Sequence, residues 1–289
     1  MTSSAFEKDR DCKSGEITWI EPLVRRVIAP NAGPYTFTGT CTYIVGRGDV
    51  AIIDPGPNDA AHLSLILKAV SNEKVSTIIA THTHEDHIGG VAALQAKTGA
   101  IVAGCQPHEN IKSPYKPDHI LDDGESLTGE GWKLTAVATP GHTANHLSFA
   151  LEETGVLFSG DHVMAWSTTL VAPPEGSMTA YMSSLARLQQ RNDRIYWPGH
   201  GGPVQEPQRL LRALIHHRRQ RETAIFAQLV NGTDTIPAIV DKLYENIDPA
   251  LRHGAELSVL AHLEDLVMQG RASASNAPGE EGRFMPASG

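Results

Sequence analysis

With 289 residues, 40% of them apolar and 20% charged, the chain is long enough for a large core and too apolar to be disordered over most of its length. A formal net charge of −9 argues against a general nucleic-acid binder, so a role of that kind would need a local basic patch. No apolar run approaches the roughly 18 residues of a membrane-spanning helix, which excludes a helical membrane protein.

Residues 1–15 read as a loose polar tail. Glu7, Asp9 and Asp11 stand where an export or transit signal would carry an apolar or basic segment. The three cysteines, Cys12, Cys41 and Cys105, have no paired spacing, which fits a reducing compartment, and the expected location is cytoplasmic. Ile17 to Ile28 is strand-like, and Ala29-Pro30-Asn31-Ala32-Gly33-Pro34 is a loop by composition. Cys41–Val45 and Asp49–Ile53 read as a hairpin turning through Gly46-Arg47-Gly48, with its second strand ending at Asp54. Residues 58–70 have helical periodicity in Ala61, Leu65, Ile66 and Ala69.

The next strand carries the chemistry. Ile78-Ile79-Ala80 runs straight into His82, His84, Asp86 and His87, and Gly89-Gly90 follow. In an extended segment residues i and i+2 point the same way, so His82 and His84 can grip one metal ion together. The chain then turns, and Asp86 with His87 can face a second position beside the first. Three more strand-like runs end in Gly or Pro beside a His or Asp: Thr139-Pro140-Gly141-His142, Ser159-Gly160-Asp161 and Pro198-Gly199-His200. Four such endings in order are how one rim of a sheet-based scaffold gathers a site. His146 and His162 lie near these residues and read as neighbours of the site rather than ligands. The stretch 165–178, with Trp166, Thr168 and Pro173-Pro174, follows Asp161 directly and is expected to line a cleft.

After Pro203 the pattern is helical. Residues 208–230 carry Leu210, Leu211, Leu214, Ile215, Ile225 and Leu229 near helical spacing. Arg209, Arg212, Arg218, Arg219 and Arg221 fall within it with no acidic residue between 209 and 221. A charge run of this kind is commonly a solvated helix face; the alternative is a phosphate-tracking patch. Asn231-Gly232 closes the helix, and 236–246 and 250–268 read as two more. Residues 271–289, rich in Ala, Ser, Gly and Pro, are expected to be disordered.

The ordered set His82-x-His84-x-Asp86-His87, His142, Asp161, His200 resembles the metallo-β-lactamase superfamily. Within it the chain is similar to the β-lactamase-like protein 2 group, whose studied members include a zinc-dependent endoribonuclease acting on single-stranded RNA. Ala29-Pro30-Asn31-x-Gly33-Pro34, Gly39-Thr40-x-Thr42-Tyr43, Ile53-Asp54-Pro55-Gly56 and Pro198-Gly199-His200-Gly201 carry that narrower likeness. The residues alone support an α/β protein with a loop-borne site. The resemblance implies a four-layer αββα sandwich over residues 16–208 and a winged-helix-like helical domain over 209–270.

It also implies two zinc ions per chain. His82, His84 and His142 would hold one, Asp86, His87 and His200 the other, and Asp161 would bridge them. Asp86 would serve as general acid/base, and Asp54 would hold a ligand histidine or shape the metal rim. Asn31, Cys41, Trp166 and Thr168 are expected at the substrate rim, with Arg218 and Arg219 as phosphate contacts. Cys41 departs from the group, which commonly has Asn there; it reads as packing first and as a change in substrate range second. The expected activity is hydrolysis by a metal-bridging hydroxide, with single-stranded RNA as substrate. The alternative is a small thioester or lactone, and a non-catalytic binding module ranks last. The helical part could then act as a lid or a homodimer contact.

Overall fold

The strand that delivers the histidine motif, Lys74–Ala80, is buried at Val75, Ile78, Ile79 and Ala80. Such a near-continuous apolar run suits a strand flanked by parallel neighbours, and in the computed structural model it has two. The structure describes residue 6 and residues 13–107, 115–275, 279 and 281–287. Most of the tail expected over 1–15, Cys12 included, lies outside the described residues.

By contact the chain divides into two units. The first comprises residues up to 139, 145–168 and 191–210; the second comprises 140–144, 169–190 and 211 onward. The first unit opens with β1 (Ile17–Glu21), β2 (Val24–Ile28), β3 (Cys41–Arg47) and β4 (Asp49–Ile53). There follow α1 (Ala60–Ala69), β5 (Lys74–Ala80), α2 (Glu85–Ile88), α3 (Val91–Thr98), β6 (Ile101–Gly104) and β7 (His119–Ile120). These seven strands form one sheet in chain order, antiparallel up to β4 and parallel from β4 to β7. The Asp59 carboxylate caps α1 by accepting the His62 amide, and α3 stops at Gly99, whose φ of 68° favours glycine.

The second sheet holds β8 (Ser126–Gly129), β9 (Trp132–Ala138), β10 (Leu147–Leu151) and β11 (Val156–Gly160). After α4 (Met178–Leu188) it gains β12 (Ile195–Pro198), giving the order β12-β11-β10-β9-β8. One apolar core joins Ile44, Ile52, Ile78 and Ile79 of the first sheet to Phe149, Phe158 and Trp197 of the second. This is the mixed α/β, sheet-on-sheet architecture expected from the sequence.

Strand directions place the site. β4 and β5 run parallel, so their C-terminal ends share an edge. β9 and β11 are each antiparallel to β10, and β12 is parallel to β11, so these three also end together. Links between the sheets gather both edges: Cys41 N–H donates to Gly199 O at 2.8 Å, and Tyr43 Oη–H donates to Pro198 O at 2.6 Å. Leu147 N–H donates to Thr81 O at 2.8 Å.

In the second unit, α4 is followed by most of α5 (Pro207–Val230), then α6 (Ile236–Leu243) and α7 (Pro249–Met268). The boundary expected at 208/209 thus falls inside the first turn of a continuous helix. The tail expected to be disordered is corrected by a two-stranded ribbon, β13 (Ala272–Ala274) paired with β14 (Phe284–Pro286). Its ordering has a packing cause: Ala272 and Phe284 join Ile225, Ile239, Val259 and Leu263 in an apolar core. Among the described residues no helix is long and apolar enough to cross a membrane.

Candidate metal centre

Asp54 closes β4 in a left-handed conformation, φ 47°, which Asp tolerates better than most residues. Its buried carboxylate accepts the Thr81 amide on Oδ1 and the Thr81 hydroxyl on Oδ2, both at 2.8 Å. The same Oδ2 accepts from His87 Nδ1 at 2.8 Å. With its own proton committed to Asp54, the Thr81 hydroxyl accepts from His82 Nδ1 at 2.9 Å. The Nε2 atoms of His82 and His87 are thereby the nitrogens left to bind a metal. His200 Nδ1 points at Gly39 O, 3.4 Å away, which selects its Nε2 in the same manner.

The selected atoms converge in the first unit. His87 Nε2 lies 3.5 Å from Asp86 Oδ2 and 3.5 Å from Asp161 Oδ1. His200 Nε2 lies 3.4 Å from Asp86 Oδ2, 3.3 Å from Asp161 Oδ2 and 3.4 Å from His87 Nε2. A tetrahedral zinc site with bonds of about 2.0–2.2 Å has donor–donor edges of about 3.3–3.6 Å, so the donor set fits that ion. A second group holds His82 Nε2 and His84 Nδ1, 3.0 Å apart, with Asp161 supplying an atom within 4.8 Å of each. His82, His87, Asp161 and His200 are buried, whereas His84 and Asp86 keep part of their surface at solvent. Gly199 is required here: a Cβ on it would sit 2.3 Å from Asp161 Oδ1 and 2.8 Å from His87 Cε1.

Electrostatics agree with a cation site. Burial opposes charging of both His87 and Asp161, and their neighbours overcome it. Asp86, Asp161 and Asp54 hold the His87 pKa well above its ordinary value, while His200 and His87 hold Asp161 well below the usual carboxylate range. A buried pocket that drives an imidazole to carry positive charge is one where a metal cation would sit favourably.

His142 stands on the loop 140–144, which groups with the second unit. There its Nδ1–H donates to Leu170 O at 2.7 Å, leaving Nε2 as the donor nitrogen. His146, expected beside the site, holds a ligand through the backbone: its Nε2 accepts the Asp161 amide at 3.1 Å, and its Nδ1 meets Thr139 Oγ1 at 2.9 Å.

Of the expected rim residues, Asn31 acts through a threonine. It accepts the Thr40 amide and donates to Thr40 Oγ1, each at 2.9 Å, and that hydroxyl donates to Asp86 Oδ2 at 3.1 Å. Thr40 and Thr81, which the sequence did not single out as site residues, hydrogen-bond to Asp86 and to Asp54 and His82; each flanks a strand, Thr40 just before β3 and Thr81 just after β5. Cys41 is wholly buried, its Sγ 3.6 Å from Gly201 O, consistent with packing. Trp166 stacks on Phe37 with ring centres 4.7 Å apart and planes 9° from parallel, and both rings lie against Gly201. Thr168 is half-buried and makes no hydrogen bond to the donor cluster among the described residues.

Arg218 is corrected as a phosphate contact. It is 3% exposed, donates to Thr169 O at 2.5 Å and Ser258 Oγ at 3.4 Å, and covers the Tyr181 ring. It falls on the helix's inward stripe, so its charge serves packing within the second unit. Arg219, one position on, is exposed.

Facing sheets with His and Asp donors gathered at their C-terminal rim define a class: a mixed α/β protein with a side-chain cluster suited to metal. The sequence model of the metallo-β-lactamase superfamily matches residues 34–200, and that of the β-lactamase-associated winged helix domain matches residues 235–279. The chain belongs to the metallo-β-lactamase superfamily. A β-lactamase-like protein 2 homolog of Caenorhabditis elegans is 31% identical over 270 residues, 88% of this chain and 89% of that one. An atrochrysone carboxyl ACP thioesterase of Aspergillus fumigatus is 34% identical over 222 residues, 75% of this chain and 68% of that one. In fold the chain is similar to a metallo-β-lactamase family protein from Thermus thermophilus, with a TM-score of 0.77 at 24% identity, covering 93% of this chain and all of that one.

Proposed function

We propose that this chain is a two-zinc hydrolase whose substrate is a thioester borne by an acyl carrier. The observation that carries the metal reading is the set of His and Asp donor atoms spaced 3.3–3.5 Å apart at one rim. Imidazole-rich sets suit zinc better than magnesium or calcium. His82, His84 and His142 would hold one ion, and Asp86, His87 and His200 the other, with Asp161 shared. When bound, the ions would supply Lewis acidity and a water ionised near neutral pH.

The remaining work falls to the chain's own groups. Asp54 and Thr81 lock the rings of His82 and His87 in the tautomers that expose Nε2. Asp86 is half-buried and takes a hydrogen bond from Thr40 on Oδ2, so its other oxygen is placed to accept a proton and return it to the leaving group.

The thioester assignment draws on the 34% identity to an acyl-carrier thioesterase and on a bulk charge of −9, which disfavours a long polyanion. A second reading, single-stranded RNA, draws on the near-full-length likeness to a β-lactamase-like protein 2 homolog. Location in the cytoplasm, a reducing compartment, belongs to either reading. One experiment separates them: purified protein is given an acyl-carrier thioester and, separately, an end-labelled single-stranded RNA. EDTA treatment and Asp161→Asn protein control for contaminants. Thiol release that both controls abolish supports the thioester reading; RNA cleavage with the same controls, and no thiol release, replaces it.

A further inference from the structure

The second unit carries a groove that the metal centre does not use. It runs between α4 and α5, open to solvent on one side, with a volume of about 460 Å³. From α5 it receives Arg212, His216 and Arg219, all exposed. Positions i, i+4 and i+7 lie on one helix face, so the three form a stripe roughly 10 Å long at 1.5 Å per residue. Across it stand Ser183 of α4 and Gln189 just past its end, and Met182 and Ile215 give it an apolar part. Among the described residues no carboxylate lines it.

The two arginines are unusual for this chain. Arg209, Arg252, Arg271 and Arg283 each pair with a carboxylate. Arg218 is turned inward, and Arg221 lies over the Tyr244 ring and donates to Leu243 O. Arg212 and Arg219 have no ion pair among the described residues, although the protein holds 33 acidic residues against 24 basic ones. Arg212 and Arg219 stand two turns apart on one helix face, so an anion held between them would meet two positive charges.

We propose that this groove binds an organic phosphate of nucleotide size. The guanidinium forks of Arg212 and Arg219, with His216 between them, receive the phosphoryl oxygens, and the organic moiety rests on Met182 and Ile215. The volume falls within the roughly 300–1,000 Å³ of small-molecule sites. A nucleic-acid strand is the weaker occupant: it needs a continuous basic track, and beyond this stripe the bulk charge of −9 repels it. The site is independent of which substrate the metal centre takes.

The test is calorimetric titration of the full-length protein with ADP at low and at physiological salt. The expected result is a submillimolar Kd that weakens at least tenfold in Arg212→Gln and in Arg219→Gln, and is unchanged in Arg209→Gln, whose arginine pairs with Glu206 outside the groove. All three side chains are exposed, and a matched thermal melt confirms that each variant is folded. Inorganic phosphate and adenosine alone should each bind more weakly than ADP. Absent ADP binding overturns the proposal, as does binding that survives both groove variants and disappears on metal removal. Phosphate equal to ADP reduces the groove to a simple anion site and overturns the organic ligand. A single-stranded RNA 12-mer that outcompetes ADP and is lost in both variants replaces the proposal with a nucleic-acid path.

Discussion

Asp54 Oδ2 and His87 Nδ1 lie 2.8 Å apart, and the same oxygen accepts the Thr81 hydroxyl that meets His82 Nδ1 at 2.9 Å. One buried carboxylate therefore orients a histidine in each of the two donor groups. Replacing Asp54 with Asn keeps the shape and tolerates the left-handed backbone, and removes the charge. Zinc affinity should fall about 10- to 100-fold, as for other lost partners of ligand histidines. Competition against a chelating dye reads this directly; unchanged affinity would show that Asp54 is only a turn residue.

Asp161 should matter through metal count. Its carboxylate reaches His87 with one oxygen and His200 with the other, at 3.5 and 3.3 Å. If the chain holds the two zinc ions proposed above, Asp161→Asn should lower the zinc content towards one ion per chain and reduce hydrolysis by at least about 100-fold, since the one carboxylate common to both donor groups would be lost. Elemental analysis alongside the activity assay checks both. Full turnover with two bound metals would sink the scheme.

The C-terminal ribbon is anchored by Phe284, which is fully buried in the helical core. Phe284→Ala should cost about 3–5 kcal/mol in the second unit, the usual range for truncating a buried phenylalanine. Urea unfolding followed by circular dichroism measures it. A loss within experimental error would mean that the ribbon contributes nothing to that core.

His262 should contribute to acid sensitivity, alongside His62 and His217, whose pKa values burial also lowers. Burial, with Arg218, Arg221 and His217 nearby, pushes its pKa down to about 3 from an ordinary 6.5. The fold keeps the ring neutral, while the unfolded chain takes up a proton below about 6.5. Stability is then fully present at neutral pH and is lost as the pH falls from about 6.5 towards 3, by up to about 1.4 kcal/mol per unit. The near-isosteric His262→Phe should flatten the wild-type slope between pH 7 and 4.5. Parallel curves for the two proteins would refute the assignment.

The amino-acid sequence by itself determined the donors and the kind of scaffold. Ligation demands particular side chains at particular spacings: His82 and His84, two residues apart in the loop after β5, bring ring nitrogens to 3.0 Å from each other. Buried strands demand apolar runs such as Ile78-Ile79-Ala80, and the runs before His142, Asp161 and His200 end in Gly or Pro. Tertiary structure alone decided what supports those donors. Thr40 is 46 residues from the Asp86 it bonds, and Thr81 is 27 from Asp54, so neither role has a local signature. The same holds for the arginines of α5. A charge run states that five cations share a helix, and only packing decides that Arg218 turns inward to Thr169 while Arg212 and Arg219 face an open groove. Side-chain identity sets which bonds a residue can make; which of them it makes depends on neighbours that meet only when the chain folds.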